Sequence, residues 1–181
     1  MIEVEVKAKV EDFTSIKKIL LEKLNAEFGG TEYQEDTYFN APHKDFAITD
    51  EAFRIRKITV NDETQLFITY KGPKIDSKSK TRIEYETDVG DSEIAKNIFE
   101  SLGFKITADV IKSREIYHFE DFEITLDSVK NAGTFIEVEK VLNDGEDYNN
   151  SLEEIFVFFK KLGITDGFER KSYLELTMEF G

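Results

Sequence analysis

The sequence predicts a β-dominated α+β fold in which antiparallel strands close into a barrel and helices pack against its outside. Three features carry this prediction. Stretches of apolar–polar alternation recur along the chain, short turn signals separate several of them, and three segments place apolar residues at helical spacing instead. The opening MIEVEVKAKV alternates Ile2, Val4, Val6, Ala8 and Val10 with Glu3, Glu5, Lys7 and Lys9, giving a strand one apolar and one charged face. Asp12 can cap a helix over 12–25 carrying Phe13, Ile16, Leu20 and Leu24, with Gly29 and Gly30 after it. TEYQEDTYFN (31–40) reads as a strand, followed by a polar connection containing Pro42. AFRIRKITV (52–60) and TQLFITYKG (64–72) flank NDE, a hairpin turn signal, and PKIDSKSK (73–80) is a lysine- and serine-rich loop. TRIEYETDV (81–89) is another alternating strand, and SEIAKNIFESLGF (92–104) is a helix ending at Gly103. A long strand over 105–119 turns at EDF into 122–129, and AGTFIEVEKV (132–141) follows. SLEEIFVFFKKLGI (151–164) is a helix with an apolar face, and KSYLELTMEF (171–180) is a short helix or strand.

No Pro- or Ser-rich linker and no shift of composition interrupts the chain, so one domain over 1–181 is expected, with a loose duplication of strands and inserted helix in its halves. Closure into a barrel removes exposed strand edges. The helices at 12–25, 92–103 and 151–163 then cover the apolar strand faces.

Composition narrows the function classes. The 181 residues are 40% hydrophobic, with 16 Phe and 7 Tyr, enough for a substantial core. A net charge of −14 repels a nucleic-acid backbone at long range, so no nucleic-acid partner is expected. The absence of cysteine excludes disulfides and thiolate metal sites, and two histidines, His43 and His118, make His-based zinc or triad chemistry a poor fit. The first residues, with acids at 3 and 5, form no signal-peptide pattern, and the densest apolar run, IFVFF (155–159), is far too short to span a bilayer. A cytoplasmic protein without a membrane partner is the simplest expectation.

The charged strand face recurs. Arg54 and Arg56, then Arg82, Glu84 and Glu86, then Lys112 and Arg114, then Glu137 and Glu139 repeat the period-two spacing of the opening strand. A solvated face would accept Ser, Thr, Gln and charge alike; here it is almost purely Arg, Lys and Glu, between Ile, Val, Phe and Tyr. If helices cover the apolar face, the charged face lines the lumen. Buried charges are costly when unpaired, so such a lumen needs internal pairing and a ligand. Converging Arg and Lys suit phosphate oxygens, and paired Glu carboxylates are the hard oxygen donors of Mg²⁺ or Mn²⁺. Lys9, Lys57 and Lys140 read as rim charges, while Tyr33, Tyr38, Phe39 and the Phe cluster at 156–159 read as packing groups.

The Glu3-x-Glu5-x-Lys7 opening resembles the signature of the CYTH superfamily, the triphosphate tunnel metalloenzymes. The likeness continues in order through YQEDTYF (33–39), FRIRK (53–57), TYKGP (69–73), TRIEYE (81–86), KSREIY (112–117), LDSV (126–129) and GTFIEVE (133–139), and is strongest to the class IV adenylyl cyclase branch. It implies an eight-stranded antiparallel tunnel holding a triphosphate. It further implies metal ligands at Glu3, Glu5, Glu137 and Glu139, and phosphate-gripping cations at Lys7, Arg54, Arg56, Lys71, Arg82, Lys112 and Arg114. Glu84 and Glu86 match acidic tunnel positions that orient the bases or hold a second metal. Asp127 matches a position that assists metal or nucleophile placement, and Lys171 a C-terminal basic position. Lys7, Arg54, Arg56 and Asp127 are the implied catalytic group. The loop 73–81, with Lys74, Lys78 and Lys80, is either a lid over the tunnel mouth or a solvated lysine loop. The activity implied is Mg²⁺- or Mn²⁺-dependent conversion of ATP to cyclic AMP and pyrophosphate. The alternatives are hydrolysis of tripolyphosphate or thiamine triphosphate, and triphosphate binding without catalysis; cyclase relatives imply a homodimer.

Overall fold

The computed structural model describes residues 2–143 and 146–180; Met1, the first residue of the opening alternation, lies outside them, as do 144–145 and 181. Eight antiparallel strands form a closed barrel: β1 (Ile2–Lys9), β2 (Glu27–Asn40), β3 (Ala52–Val60), β4 (Glu63–Lys71), β5 (Arg82–Asp88), β6 (Lys105–Phe119), β7 (Phe122–Val129) and β8 (Gly133–Leu142). Around the barrel they run β1-β5-β4-β3-β2-β6-β7-β8, and β8 pairs back with β1. The β3–β4 hairpin turns on Asn61 and Asp62, both with positive φ, in a two-residue turn whose twist suits the flanking strands. Closure is narrowest between β1 and β5, where among the described residues Ile2 pairs with Ile83 and Glu3 with Arg82. The Lys80 amide extends this seam by donating to the Glu5 carbonyl at 2.9 Å.

Several boundaries differ from the sequence expectation. The first helix is shorter, α1 (Thr14–Lys18) followed by a π-helical turn (Ile19–Lys23), and Asp12 accepts the Thr14 amide at 2.8 Å. Gly29 and Gly30 do not end that helix; they sit inside a longer β2, at a register shift against β6. At Gly29 the neighbouring strand comes close: a Cβ would meet His118 Nε2 at 2.9 Å, so the exposed His118 ring would have to move aside. The polar connection after β2 holds a short helix, α2 (Phe46–Thr49), capped by Asp45.

The apolar strand faces do point outward under helices. Val4, Val6, Ile124, Leu126, Ile136 and Val138 pack against Ile16, Leu20, Leu152, Ile155, Phe158 and Phe159 of α1, the π turn and α4 (Tyr148–Lys161). On the opposite wall Phe39 and Ile55 meet Ala95 and Phe99 of α3 (Ser92–Ser101). The last segment, α5 (Tyr173–Phe180), is a helix, and it does not lie on the outside. Its Tyr173 and Leu176 pack on Tyr38, Val110, Val129 and Phe135. These belong to the period-two sets that turn inward, so α5 stops one end of the barrel where the lumen becomes apolar.

Candidate active site in the barrel lumen

Opposite charges are matched across neighbouring strands around the lumen. Arg56 lies opposite Asp36 in the β2–β3 register, Lys71 opposite Glu84 in β4–β5, Arg114 opposite Asp127 in β6–β7, and Lys7 opposite Glu137 in β1–β8. Arg56 grips Asp36 with two bonds of 2.6 Å, and Arg54 approaches the same carboxylate at 3.5 Å. Burial opposes ionisation of Asp36, but the Arg56 and Arg54 guanidinium groups outweigh it and hold the carboxyl well below its usual range. Arg114 donates to Asp127 at 2.7 and 2.6 Å and to Glu137 at 2.7 Å, and Tyr173 Oη adds a 2.7 Å bond to Asp127. Lys71 reaches Glu84 at 2.6 Å and Glu3 at 3.5 Å. Glu84, despite its burial, is drawn down to about 2 by Lys71 and Arg54.

Two places break this matching, and they are of opposite sign. In the β1–β8 register Glu5 faces Glu139, a like-charge pair that is destabilising in isolation. Carboxylate oxygens of Glu3, Glu5 and Glu139 lie within 4.8 Å of one another. Burial, then the neighbouring Glu5, pushes Glu139 up to about 7, and burial raises Glu3 well above its ordinary value. Three crowded hard oxygen donors fit a divalent cation such as Mg²⁺ or Mn²⁺. On the basic side, Lys112 lines the cavity beside Arg56 and Arg114 but forms no ion pair among the described residues. Burial, Arg114 and Arg56 together drive its ammonium well below the usual lysine range. Its Nζ rests 4.8 Å from the centre of the Tyr173 ring. The lumen therefore has an acidic pole where Lys80 reaches Glu5 and Lys71 reaches Glu3 but Glu139 has no ion-pair partner among the described residues, and a basic pole where Lys112 has none.

Most of the residues singled out from sequence converge here. Glu3, Glu5, Arg54, Arg56, Lys71, Arg82, Glu84, Glu86, Lys112, Arg114, Glu137 and Glu139 line one cavity of about 290 Å³. Their positions within it are unequal. Glu86 is exposed at the edge and accepts from Thr69, whereas Glu137 is taken up by Arg114 and Lys80 and stands outside the crowded carboxylate trio. Lys7 and Asp127 are buried behind the cavity wall rather than in it. Lys7 donates to the Lys171 carbonyl and lies over the Tyr173 ring at 4.1 Å; burial and Lys80 lower it to about 7. The Lys171 side chain points away altogether, exposed and paired with Glu179, because α5 begins two residues later and carries it onto the outer surface. His43 and His118 are exposed and outside the cavity lining, and Lys57 and Lys140 pair with Glu35 and with Asp121 and Glu154.

The contributors not singled out as site residues include Glu32, Gln34 and Glu123 of the cavity lining, Glu123 facing Glu139 across β7–β8, together with Asp36, Tyr173 and Lys80. Asp36 shares the period-two set of Gln34 and Tyr38, a signal present in YQEDTYF. Tyr173 had no such signal, because its entry depends on α5 stopping the barrel. Lys80 belongs to the lysine- and serine-rich loop by composition, yet it stands two residues before Arg82 and continues that strand's alternation. Its Nζ sits 2.6 Å from Glu5 and 3.2 Å from Glu137, and these carboxylates raise its pKa in spite of burial. The loop is tied down by Arg170, which donates to the carbonyls of Asp76 (2.9 Å) and Ser79 (3.4 Å).

Comparison with known proteins agrees with this architecture. The family model described as the CYTH domain matches residues 1–173. The MJ0240 protein of Methanocaldococcus jannaschii, named as a candidate adenylate cyclase, is 45% identical over 177 residues, covering 97% of this chain and 98% of its own. Adenylate cyclase CyaB of Aeromonas hydrophila is 29% identical, covering 96% of this chain and 87% of its own. The solved structure of PH1819 from Pyrococcus horikoshii superposes with a TM-score of 0.90 at 40% identity and covers 98% of both chains.

Proposed function

The chain belongs to the CYTH domain family, and on that premise we propose that it is a divalent-metal-dependent enzyme that draws ATP into the lumen and converts it to cyclic AMP and pyrophosphate. Lys112 carries the triphosphate part of this proposal. It is buried with no carboxylate in ion-pair contact among the described residues and is flanked by two guanidinium groups, so its charged form is disfavoured. Asp127 and Asp36 offset this only in part, and an anion beside it would favour that form. Arg54, Arg56, Arg82, Arg114 and Lys71 complete a cationic wall for phosphate oxygens, with guanidinium forks suited to bidentate contact. The cyclase assignment is supported by the names of the relatives at 45% and 29% identity.

Glu3, Glu5 and Glu139 would hold the divalent ion, with Glu137 within reach once Lys80 gives way. A bound Mg²⁺ or Mn²⁺ supplies polarisation of the phosphoryl oxygens and a lower pKa for the attacking hydroxyl. The protein's own contribution is placement. The Arg and Lys side chains would fix the chain of phosphates, so that the 3′-oxygen, its proton passing to solvent water, forms its bond to the α-phosphorus as the bond to pyrophosphate breaks. They also offset charge growing on the departing pyrophosphate. Asp36 and Asp127 act as positioning residues: each locks a guanidinium that faces the ligand. The chain is read as one domain over 1–181, and the lining residues named above all come from it.

The test is product analysis of purified protein with ATP and, separately, tripolyphosphate, each with Mg²⁺, with Mn²⁺ or with chelator. Cyclic AMP and pyrophosphate appearing only with metal is the expected result. Orthophosphate release without cyclic AMP would replace the cyclase with a triphosphatase using the same cations. Tight binding of either ligand without turnover would leave a binding protein.

A further inference from the structure

A second cavity, of about 350 Å³, opens where the end of β2, α2 and α5 meet. Tyr38, Ala52, Arg82 and Ser172 line both it and the charged lumen, so the two spaces adjoin across these side chains. Their chemistry is opposite. The lumen is walled by charge, whereas the second cavity is walled largely by apolar groups, among them Phe46, Leu174 and Met178. Its polar rim is already engaged: Asp50 accepts the Lys74 amide and ammonium, the Ser172 hydroxyl accepts the Glu175 amide, and the Glu175 carboxylate accepts the Ser172 amide. The Asn40 carboxamide accepts the Ala41 and Phe46 amides and donates to Asp45, the Thr107 hydroxyl donates to the Tyr38 carbonyl, and Glu51 accepts from Lys44, Thr49 and Tyr70. These groups have little left to offer a ligand. What the cavity provides is contact area, at a size within the range of small-molecule pockets, ~300–1,000 Å³.

A charged channel beside an apolar recess matches a ligand with a polyphosphate at one end and a flat ring at the other. We propose that this recess takes the base of a nucleoside triphosphate whose phosphates occupy the lumen, and that it holds the base by contact rather than by reading its hydrogen-bonding edge. The recess should therefore accept adenine and guanine nearly alike. This inference rests on the triphosphate reading of the lumen and adds where the rest of the substrate goes. Arg82 stands on the partition, its guanidinium fixed by the Gly72 carbonyl at 3.0 Å and the Asp50 carbonyl at 3.4 Å.

Two substitutions fill the recess from exposed positions, Met178→Trp on α5 and Ala47→Trp on α2, and neither disturbs a core residue. Calorimetric titrations with ATP, GTP and tripolyphosphate, all with Mg²⁺, compare them with the unaltered protein, and thermal melting checks folding. The expected result is ATP and GTP binding weakened about tenfold or more in both variants, with tripolyphosphate binding within about twofold of the original. In the unaltered protein ATP and GTP should differ by less than about threefold, since no edge-reading group distinguishes them. Equal losses for ATP and tripolyphosphate, or no loss for ATP, would overturn the assignment of the recess. A strong preference for ATP over GTP would overturn the contact-only mode of binding. If the unaltered protein bound none of the three, the triphosphate reading would fail and the recess assignment with it.

Discussion

Replacing Asp127 by Asn should cost stability first and ligand binding only through Arg114. The Asp127 side chain has no solvent exposure and is saturated by two bonds from Arg114 and one from the Tyr173 hydroxyl. An amide of the same size cannot accept on both sides, so one Arg114 nitrogen or the Tyr173 hydroxyl meets another donor. Breaking a buried ion pair costs ~3–5 kcal/mol. Arg114 keeps its 2.7 Å contact with Glu137, which places the expected loss near the lower end, ~3 kcal/mol. For a chain of this size ~1 kcal/mol moves Tm by ~2–4 °C, so melting should fall by roughly 6–12 °C. Tyr173→Phe removes one charge-assisted bond and should cost ~1.5–3 kcal/mol. Because both changes strike one network, the double variant should lose less than the sum of the singles, by at least ~0.5 kcal/mol. Urea unfolding with an unchanged m-value, beside thermal melting, provides the measurement. An Asp127→Asn protein melting within about 2 °C of the original, or strict additivity with Tyr173→Phe, would refute the network.

Three further outcomes follow from the same lumen. Tripolyphosphate with Mg²⁺ at about a hundred times its Kd should add ~2.7 kcal/mol and raise Tm by roughly 5–10 °C; no upward shift in a melting scan would argue against an internal anion site. Asp36 has a folded pKa depressed below the 3.8 of an unperturbed carboxyl, so its stabilising contribution is complete above that value and is lost as the pH falls below it. Acid unfolding of Asp36→Asn should accordingly show a shallower pH dependence below about 4 than the original protein, and parallel curves would contradict the Arg56–Asp36 pairing. Lys80→Met removes an ammonium 2.6 Å from Glu5, so Mn²⁺ should bind about tenfold or more tightly in the absence of nucleotide, since a bond worth ~1.5–3 kcal/mol no longer has to be broken. Unchanged or weaker Mn²⁺ binding, followed by calorimetry or paramagnetic resonance, would count against exchange between the ammonium and the cation.

The strands and their inward faces were legible in the sequence because side-chain direction in a strand has a fixed period of two. Once Arg54 and Arg56 are separated by one apolar residue they share a face, whatever surrounds them. The same rule brings Glu3 and Glu5, Lys112 and Arg114, and Glu137 and Glu139 to the lumen, and extended by one step it would have included Asp36 and Lys80. Helices and turns were also local matters: Asp91 caps α3, and Asn61 and Asp62 adopt the positive φ that their hairpin needs. Tertiary structure alone decided that β8 closes on β1 and that β2 pairs with β6, and hence that Glu5 faces Glu139. It alone brought α5 into the barrel end, turned Lys171 outward, placed Tyr173 between Lys7 and Lys112, and opened the recess beside Arg82. The physical reason is the range of the interaction. A strand's alternation is set by its own backbone, whereas barrel closure, plugging and cavity shape depend on residues far apart in the chain, as Glu5 and Glu139 are, whose meeting is fixed only when the barrel closes.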